Sequence, residues 1–383
     1  MLAPAVRQSF TQSVRFGVLS TFPPTPCGVA RFSAVLSQAL CDLGSDVAVV
    51  RITDGDVSSS DRIVGELVND SQPSVAACID RLNQADVALI HYQHGMYGGA
   101  HDDEILAIVA GLRTPTMVVV HSVLKTPAPH QRWVLEQLVS AVDRVVVMSV
   151  AARELLCSDY GVARHKVVTV PHGGTIPDSP RPSRAARPII LTWGLLHRGK
   201  GIERVIDAME SLDSVAGRPR YLVLGQTHPK ALAAEGEAYR ESLLERVRSR
   251  GLTDSVSIDP RYYDTSTLTR LVQSARVVVL PYDSRDQVTS GVLVDAIAAG
   301  RPVVATAFPH AVELLSGGAG VVVDHDDPEA LASALRRVLT KPRLAGEMAA
   351  EARKLATNMA WPVVAEAYLN LARHLLAQRR ALH

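Results

Sequence analysis

The chain has 383 residues, which at about 150 residues per domain predicts two or three domains. Hydrophobic residues make up 47% and charged residues 21%, a balance that excludes a disordered chain and supplies apolar side chains for two cores. Lys and Arg number 40 against 39 Asp and Glu, so the net charge of +1 leaves no basic surplus for gripping nucleic acid through its phosphates. Nucleic acid is therefore not an expected partner.

Four cysteines, Cys27, Cys41, Cys78 and Cys157, fall at irregular spacings with no CxxC, which reads as free thiols in a reducing compartment. The opening residues lack the apolar core of a signal peptide, and the longest apolar stretches, such as 145–148 and 277–280, are strand-sized. These features predict a cytoplasmic protein with no transmembrane segment.

Short β-branched runs alternate with amphipathic stretches from end to end, the pattern of parallel sheets flanked by helices. In the first half, strands are predicted at 15–19, 46–52, 86–91, 116–120, 144–148 and 166–170, with helices at 30–43 and 129–141. Residues 177–188 then carry four prolines in twelve positions and no apolar periodicity, a linker composition. The alternation restarts with strands at 188–193, 220–224, 255–258, 276–280, 302–305 and 320–323 and helices at 202–211, 241–249, 266–273 and 291–299. The reading is α/β, with two doubly wound, Rossmann-like domains at 1–180 and 181–360 facing across a cleft that receives the strand carboxyl ends. The closing helix, within 361–383, fits either domain and crosses back to the first in one of those two cases.

Two segments of the second half carry the chemistry. In 191–203, Gly194, Gly199 and Gly201 allow a tight turn after a strand, and Arg198 and Lys200 sit near the start of the next helix. Cations beside a helix N-terminus suit a phosphate or pyrophosphate, although a solvated surface turn has the same composition. The P-loop spacing and GxGxxG are both missing, which argues against an ATPase or a dehydrogenase. In 280–306, Thr289 or Ser290 can cap a helix beginning near Gly291, whose free amides could take further phosphate oxygens. Asp295 lies one turn further in, where a carboxylate could accept ribose hydroxyls; Gly300 ends the helix. An ordinary helix boundary needs the same residue types.

These segments resemble the retaining glycosyltransferases of family 4, which have the GT-B fold. The run from Gly194 to Lys200-Gly201 is similar to the family's Gly-Arg-Leu-x-x-x-Lys-Gly loop, and Asp295 to Thr306 to its Glu-Ala-x-Ala-x-Gly-x-Pro-Val-Val-Ala-Thr run. Trp361 stands where the family often has an aromatic opening the last helix. Three departures mark a divergent subgroup: Leu195 replaces the family's Arg, Gln287 its first Glu, and Asp295 its second. The resemblance implies that the 20–31 loop touches donor phosphate and acceptor, with Gly28 where backbone approaches a ligand, although a Pro-rich turn into a helix explains the same residues. It likewise implies that His121, at a strand end, contacts the transferred sugar. His91 and His94 end another strand and, with Lys125, are expected on the acceptor side; their spacing would also allow a metal, but no third ligand is evident. Asp324 to Glu329 is similar to a manganese-binding DxD, yet Asp327 as cap, Pro328 and Glu329 explain it better as a helix start. No metal is expected.

The activity so implied is transfer, with retention, of a mannose or glucose from a nucleotide diphosphate donor, GDP-mannose or UDP-glucose, to a carbohydrate or glycolipid acceptor, with no bound cofactor. Lys200, with Arg198 and the amides near Ser290 and Gly291, would stabilise the leaving diphosphate. His121 would orient the sugar, Gln287 would bind its hydroxyls and Asp295 the ribose. The alternatives are a nucleotide-sugar epimerase of the same fold and a degenerate sugar-binding subunit. Arginines around 240–250 and near the carboxyl end would permit peripheral contact with anionic lipid, but interleaved Glu241 and Glu245 read as a mixed, solvated face. The oligomeric state is not legible.

Overall fold

The computed structural model describes residues 13–53, 55–178 and 187–382. The middle of the expected linker, 179–186, and the expected domain boundary within it lie outside the described residues. The first sheet holds β1 (Arg15–Ser20), β2 (Asp46–Ile52), β3 (Ile63–Leu67), β4 (Val87–Tyr92), β5 (Thr116–Val120), β6 (Arg144–Val147) and β7 (Val167–Thr169), interleaved with α1 (Gly28–Asp42), α2 (Gln72–Leu82), α3 (Glu104–Ala110), α4 (Pro129–Ala141) and α5 (Val150–Asp159). The second holds β8 (Ile189–Trp193), β9 (Arg220–Leu224), β10 (Val256–Asp259), β11 (Val277–Leu280), β12 (Val303–Thr306) and β13 (Gly320–Val323). Its helices are α6 (Ile202–Leu212), α7 (Pro229–Glu235), α8 (Ala238–Ser249), α9 (Thr265–Ser274), α10 (Gly291–Ala298), α11 (Pro309–Leu315) and α12 (Pro328–Thr340). Two long helices, α13 (Pro342–Met359) and α14 (Trp361–Leu382), close the chain.

The strand orders are β3-β2-β1-β4-β5-β6-β7 and β10-β9-β8-β11-β12-β13, parallel throughout. Helices cover both faces, so the inner strands are apolar on both sides; β4 and β5 are buried at every position. Each order reverses beside the first strand of its sheet, between β1 and β4 and between β8 and β11. The connections there part to opposite faces and leave a crevice at the strand carboxyl ends. The strand β3 is the one the sequence pattern did not announce: Ile-Val-Gly-Glu-Leu at the sheet edge is exposed or half-exposed at four of five positions.

The last helix crosses back. Trp361, Val364, Ala365, Tyr368, Leu369, Ala372 and Leu375 recur at helical spacing and join Phe16, Phe32 and Leu36 in one core of the first half. The crossing is pinned at Gly173 and Gly174: the Trp361 ring lies where a side chain on Gly173 would be, and the Gly174 amide donates to Met359 O at 2.7 Å. Two further contacts clasp the halves together. Glu313 of α11 accepts from the Val150 and Ala151 amides at 2.9 and 3.0 Å, capping α5 from across the cleft. Lys230, at the start of α7, reaches Gly95 O at 3.5 Å.

The arginines of α8 and its C-cap are matched by acids: Arg246 binds Asp207 through two 2.6 Å bonds, Arg248 binds Glu245, and the cap residue Arg250 binds Glu210. Among the described residues no helix is long and apolar enough to cross a membrane. Because α14 completes the core of the half it does not follow in sequence, Tyr368→Ala, at a fully buried position, should cost about 3–5 kcal/mol in urea unfolding. Hydrogen exchange should accelerate in β1 and α1 rather than in β11 and β12.

Candidate active site

The cleft floor is built around Phe32, on the first turns of α1 and only 2% exposed. Four rings meet it edge-on: His91 at 5.5 Å, His121 at 5.0 Å, His172 at 4.9 Å and Trp361 at 5.2 Å between centroids. They come from the end of β4, the loop after β5, the loop after β7 and the start of α14. Parallel pairing puts strand carboxyl ends side by side, which is why His91, His121 and His172 meet at one ring, and the returning α14 adds Trp361.

His121 is half-buried at the cleft surface, and its Nε2 lies 2.9 Å from His91 Nδ1. His91 is fully buried behind it, which corrects the expectation that it lines the acceptor side: β4 is an inner strand covered on both faces. His94 is turned into its own loop, with Nδ1 3.1 Å from the Tyr92 hydroxyl and 3.9 Å from Asp102. Asp102 in turn accepts from the Gly95 and Tyr97 amides, so His94 is a loop brace more than an open acceptor contact. Lys125 is exposed on the loop that begins at His121.

In the second half the loop after β8 lies against the end of β11. Gly201 has φ +63°, and a side chain there would overlap Pro281 O. That close approach carries Lys200 over the Tyr282 ring, Nζ to centroid 4.3 Å. His197 and His228 lie close by, and burial, with the Lys200 charge, lowers the pKa of both. Gly194, at φ +122°, opens this loop directly after β8. Arg198 is exposed and bonded to Glu235 at 2.9 Å, a partner that a phosphate would have to displace before Arg198 could stand in for the cation missing at Leu195.

Ser290 caps α10, its Oγ accepting from the Leu293 amide at 3.3 Å, and Gly291 opens the helix. The Ser290 amide is already taken, donating to His310 Nδ1 at 2.9 Å, so it is withdrawn from the expected phosphate set. Gln287 donates to Thr289 O at 3.0 Å, and the Thr289 hydroxyl is buried with no partner among the described residues. Gly291 faces His172 so closely that a Cβ would come within 3.0 Å of Nε2. His172 Nδ1 lies 2.7 Å from Gly173 O, an acceptor only, so the proton is on Nδ1 and Nε2 carries a lone pair. Asp295 is likewise not free for a ribose: Arg31 of α1 binds it across the cleft at 2.9 Å, and a sugar would have to share it. Burial raises the Asp295 pKa while Arg31 opposes the shift. Gly28 is exposed at the start of α1 with open space around it, the room a ligand would need.

The structure thus gathers His121, Gly291 and Asp295 about the Phe32 junction, and Lys200 at the end of the neighbouring β11. It sets His91 behind them and pairs Arg198 with Glu235. It adds Arg31, Phe32, His172 and His310, which the sequence reading did not single out. His172 in Pro-His-Gly-Gly and His310 in Phe-Pro-His both follow strand ends, the one signal that could have marked them. Asp327 is the cap of α12, accepting from Ala330 at 2.8 Å, as its Pro-Glu sequel implied. Among the described residues no group of three or more His, Cys, Asp or Glu is placed to hold a metal ion.

Two parallel, doubly wound sheets facing across a cleft, with the last helix returning to the first, make the GT-B architecture. Two segments match glycosyltransferase family models: residues 26–173 match glycosyltransferase family 4, and residues 187–341 match the glycosyl transferases group 1. A D-inositol 3-phosphate glycosyltransferase from Kineococcus radiotolerans is 31% identical over 281 residues, 67% of this chain and 62% of that relative. The chain therefore spans less than two thirds of that relative's length. Among solved structures, Anabaena Alr3699/HepE in complex with UDP and glucose superposes with TM-score 0.74 at 16% identity, covering 94% of this chain and 100% of that one. A glycosyltransferase from Rickettsia africae gives 0.74 at 15% identity, covering 94% and 99%.

Burial holds the cleft imidazoles neutral: the pKa falls to about 3 for His91 and His310, to about 4 for His172, and well below the ordinary value for His121. The unfolded chain takes up these protons near pH 6.5 while the fold does not, so stability is lost as pH falls below about 6.5. His310→Asn keeps an acceptor for the Ser290 amide without a titrating ring. Its urea-unfolding free energy should fall less between pH 7 and pH 5 than the wild type's, by up to about 2 kcal/mol.

Proposed function

We propose that the protein is a retaining hexosyltransferase that moves mannose or glucose from a nucleotide diphosphate donor, GDP-mannose or UDP-glucose, to a carbohydrate or glycolipid acceptor. One observation carries the reading: the N-terminus of α10 in the second half abuts His172, and one ring further, across Phe32, stands His121 of the first half. A diphosphate seated on the open α10 amides would then hold its sugar toward His121. The two family matches support the class of reaction, and the bound UDP of the Anabaena structure supports a nucleotide-sugar donor.

The residues divide the work by charge. Lys200, poised on the Tyr282 face, would neutralise the diphosphate as its bond to the sugar breaks. The Gly291 and Val292 amides would add the α10 dipole, the Ser290 amide being committed to His310. His121 would hydrogen-bond the sugar, Gln287 would offer its carbonyl oxygen to a hydroxyl, and Asp295 with Arg31 would form the ribose side. The cleft histidines are neutral and, among the described residues, no carboxylate is hydrogen-bonded or ion-paired to His121, which favours a same-face displacement. In it the departing phosphate oxygen takes the acceptor proton, and no protein nucleophile forms a glycosyl intermediate. Closure over the donor would keep water from the same reaction.

Thermal unfolding with GDP, UDP, ADP and their sugar conjugates tests this first. A ligand at about 100 times its dissociation constant stabilises by about 2.7 kcal/mol, and one base family should do so without divalent metal. Absence of a shift with every nucleotide would leave a degenerate binding subunit as the better description. Lys200→Ala should lower kcat/KM for transfer by about a hundredfold or more while leaving the fold intact, because the side chain lies on a surface loop.

A further inference from the structure

Among the buried groups, His91 stands out as a polar side chain with no task in the mechanism above. It is completely buried, and its Nε2 has no partner among the described residues. Its Nδ1 meets His121 Nε2 at 2.9 Å. The two rings lie within 26° of a common plane with centroids 5.1 Å apart, so they meet edge to edge along the hydrogen bond rather than face to face. The backbone fixes that alignment: His91 pairs with Val119 and Tyr92 with Val120 across β4 and β5, and the His121 amide donates to Tyr92 O at 2.8 Å. Phe32 braces both rings from the side.

Two neutral imidazoles sharing one hydrogen bond can arrange their protons in two ways. If His121 donates through Nε2, His91 must carry its own proton on Nε2, where no acceptor exists. If His91 donates through Nδ1, only a lone pair is left bare. A buried N–H without an acceptor is the rarer and costlier defect, so the second arrangement prevails. His121 is then protonated on Nδ1. That nitrogen has no partner among the described residues, and His121 is the member of the pair exposed to the cleft.

We propose that His91 is a positioning residue that sets the tautomer of His121, making it an N–H donor toward the cleft that takes a hydroxyl or ring oxygen of the transferred sugar. The proposal rests on the nucleotide-sugar reading of the cleft. It adds a consequence which that reading lacks: His91, never touching substrate, should govern the affinity for the sugar half of the donor and not for the nucleotide half.

The test pairs a spectrum with a binding difference. In 15N-histidine NMR of the wild-type protein, His121 and His91 should both show a protonated Nδ1 and a bare Nε2. Affinities are then measured for UDP against UDP-glucose and for GDP against GDP-mannose. His91→Leu removes the donor and should weaken the sugar conjugate by about tenfold or more while leaving the free nucleotide within about twofold. His91→Asn places an amide N–H where Nδ1 was and should restore the conjugate to within about threefold of wild type. A proton on His121 Nε2, or equal losses in the Leu and Asn variants, overturns the relay. A wild-type protein that binds none of the four nucleotides overturns the sugar contact and the functional reading together. The tautomer spectrum, read without ligand, separates that outcome from failure of the relay alone.

Discussion

The cleft depends on one packing constraint: a single phenylalanine, on the first helix, must fit against four rings that arrive from four separate strand and helix ends. Phe32 is held there because α1 is itself clamped between the first sheet and α14, and its neighbour Arg31 is tied to Asp295 across the cleft. If the ring moved, His121 would lose its brace, His172 its spacing from Gly291, and Trp361 its seat against Gly173. Close packing leaves no intermediate arrangement, so the two halves and the site between them are set together.

The same packing decides the electrostatics. Dry surroundings keep the cleft histidines uncharged, so they serve as directional donors and acceptors and not as cations. The positive charge sits instead on Lys200, Lys230 and Arg31, each with a stated neighbour: an aromatic face, a backbone carbonyl and a carboxylate. On the proposed reading, a doubly charged leaving group would gain from that division, because neutral rings beside the sugar would add orientation without competing for the diphosphate. The Arg31–Asp295 pair gives the two halves a charged contact in the place proposed for the ribose, so a donor seated there would have to share or displace it.

Much of this was legible along the chain. Parallel strands buried on both faces read as unbroken β-branched runs, and twelve of the thirteen strands among the described residues were placed within a residue or two; β3 escaped because an edge strand needs neither continuous apolarity nor much burial. The helix starts at α10, capped from Thr289 or Ser290, and at α12, capped by Asp327, were legible because a cap bonds neighbours two or three residues apart; the structure gave the first to Ser290. Lys200 and Gly201 were marked by their loop composition. Arg198, with the same local credentials, proved to be engaged by Glu235, whose position depends on how α7 packs and not on anything near residue 198.

The order of elements along the chain and the helix starts that follow the strand ends were determined by the amino-acid sequence alone, since period and capping are properties of contiguous residues. Only the tertiary structure decided which strand-end histidine is buried and which is presented, that Asp295 answers to Arg31, that the Ser290 amide belongs to His310, and that α14 completes the first core. Each of those outcomes is a competition among groups distant in sequence for one neighbour in space. No window along the chain contains both competitors.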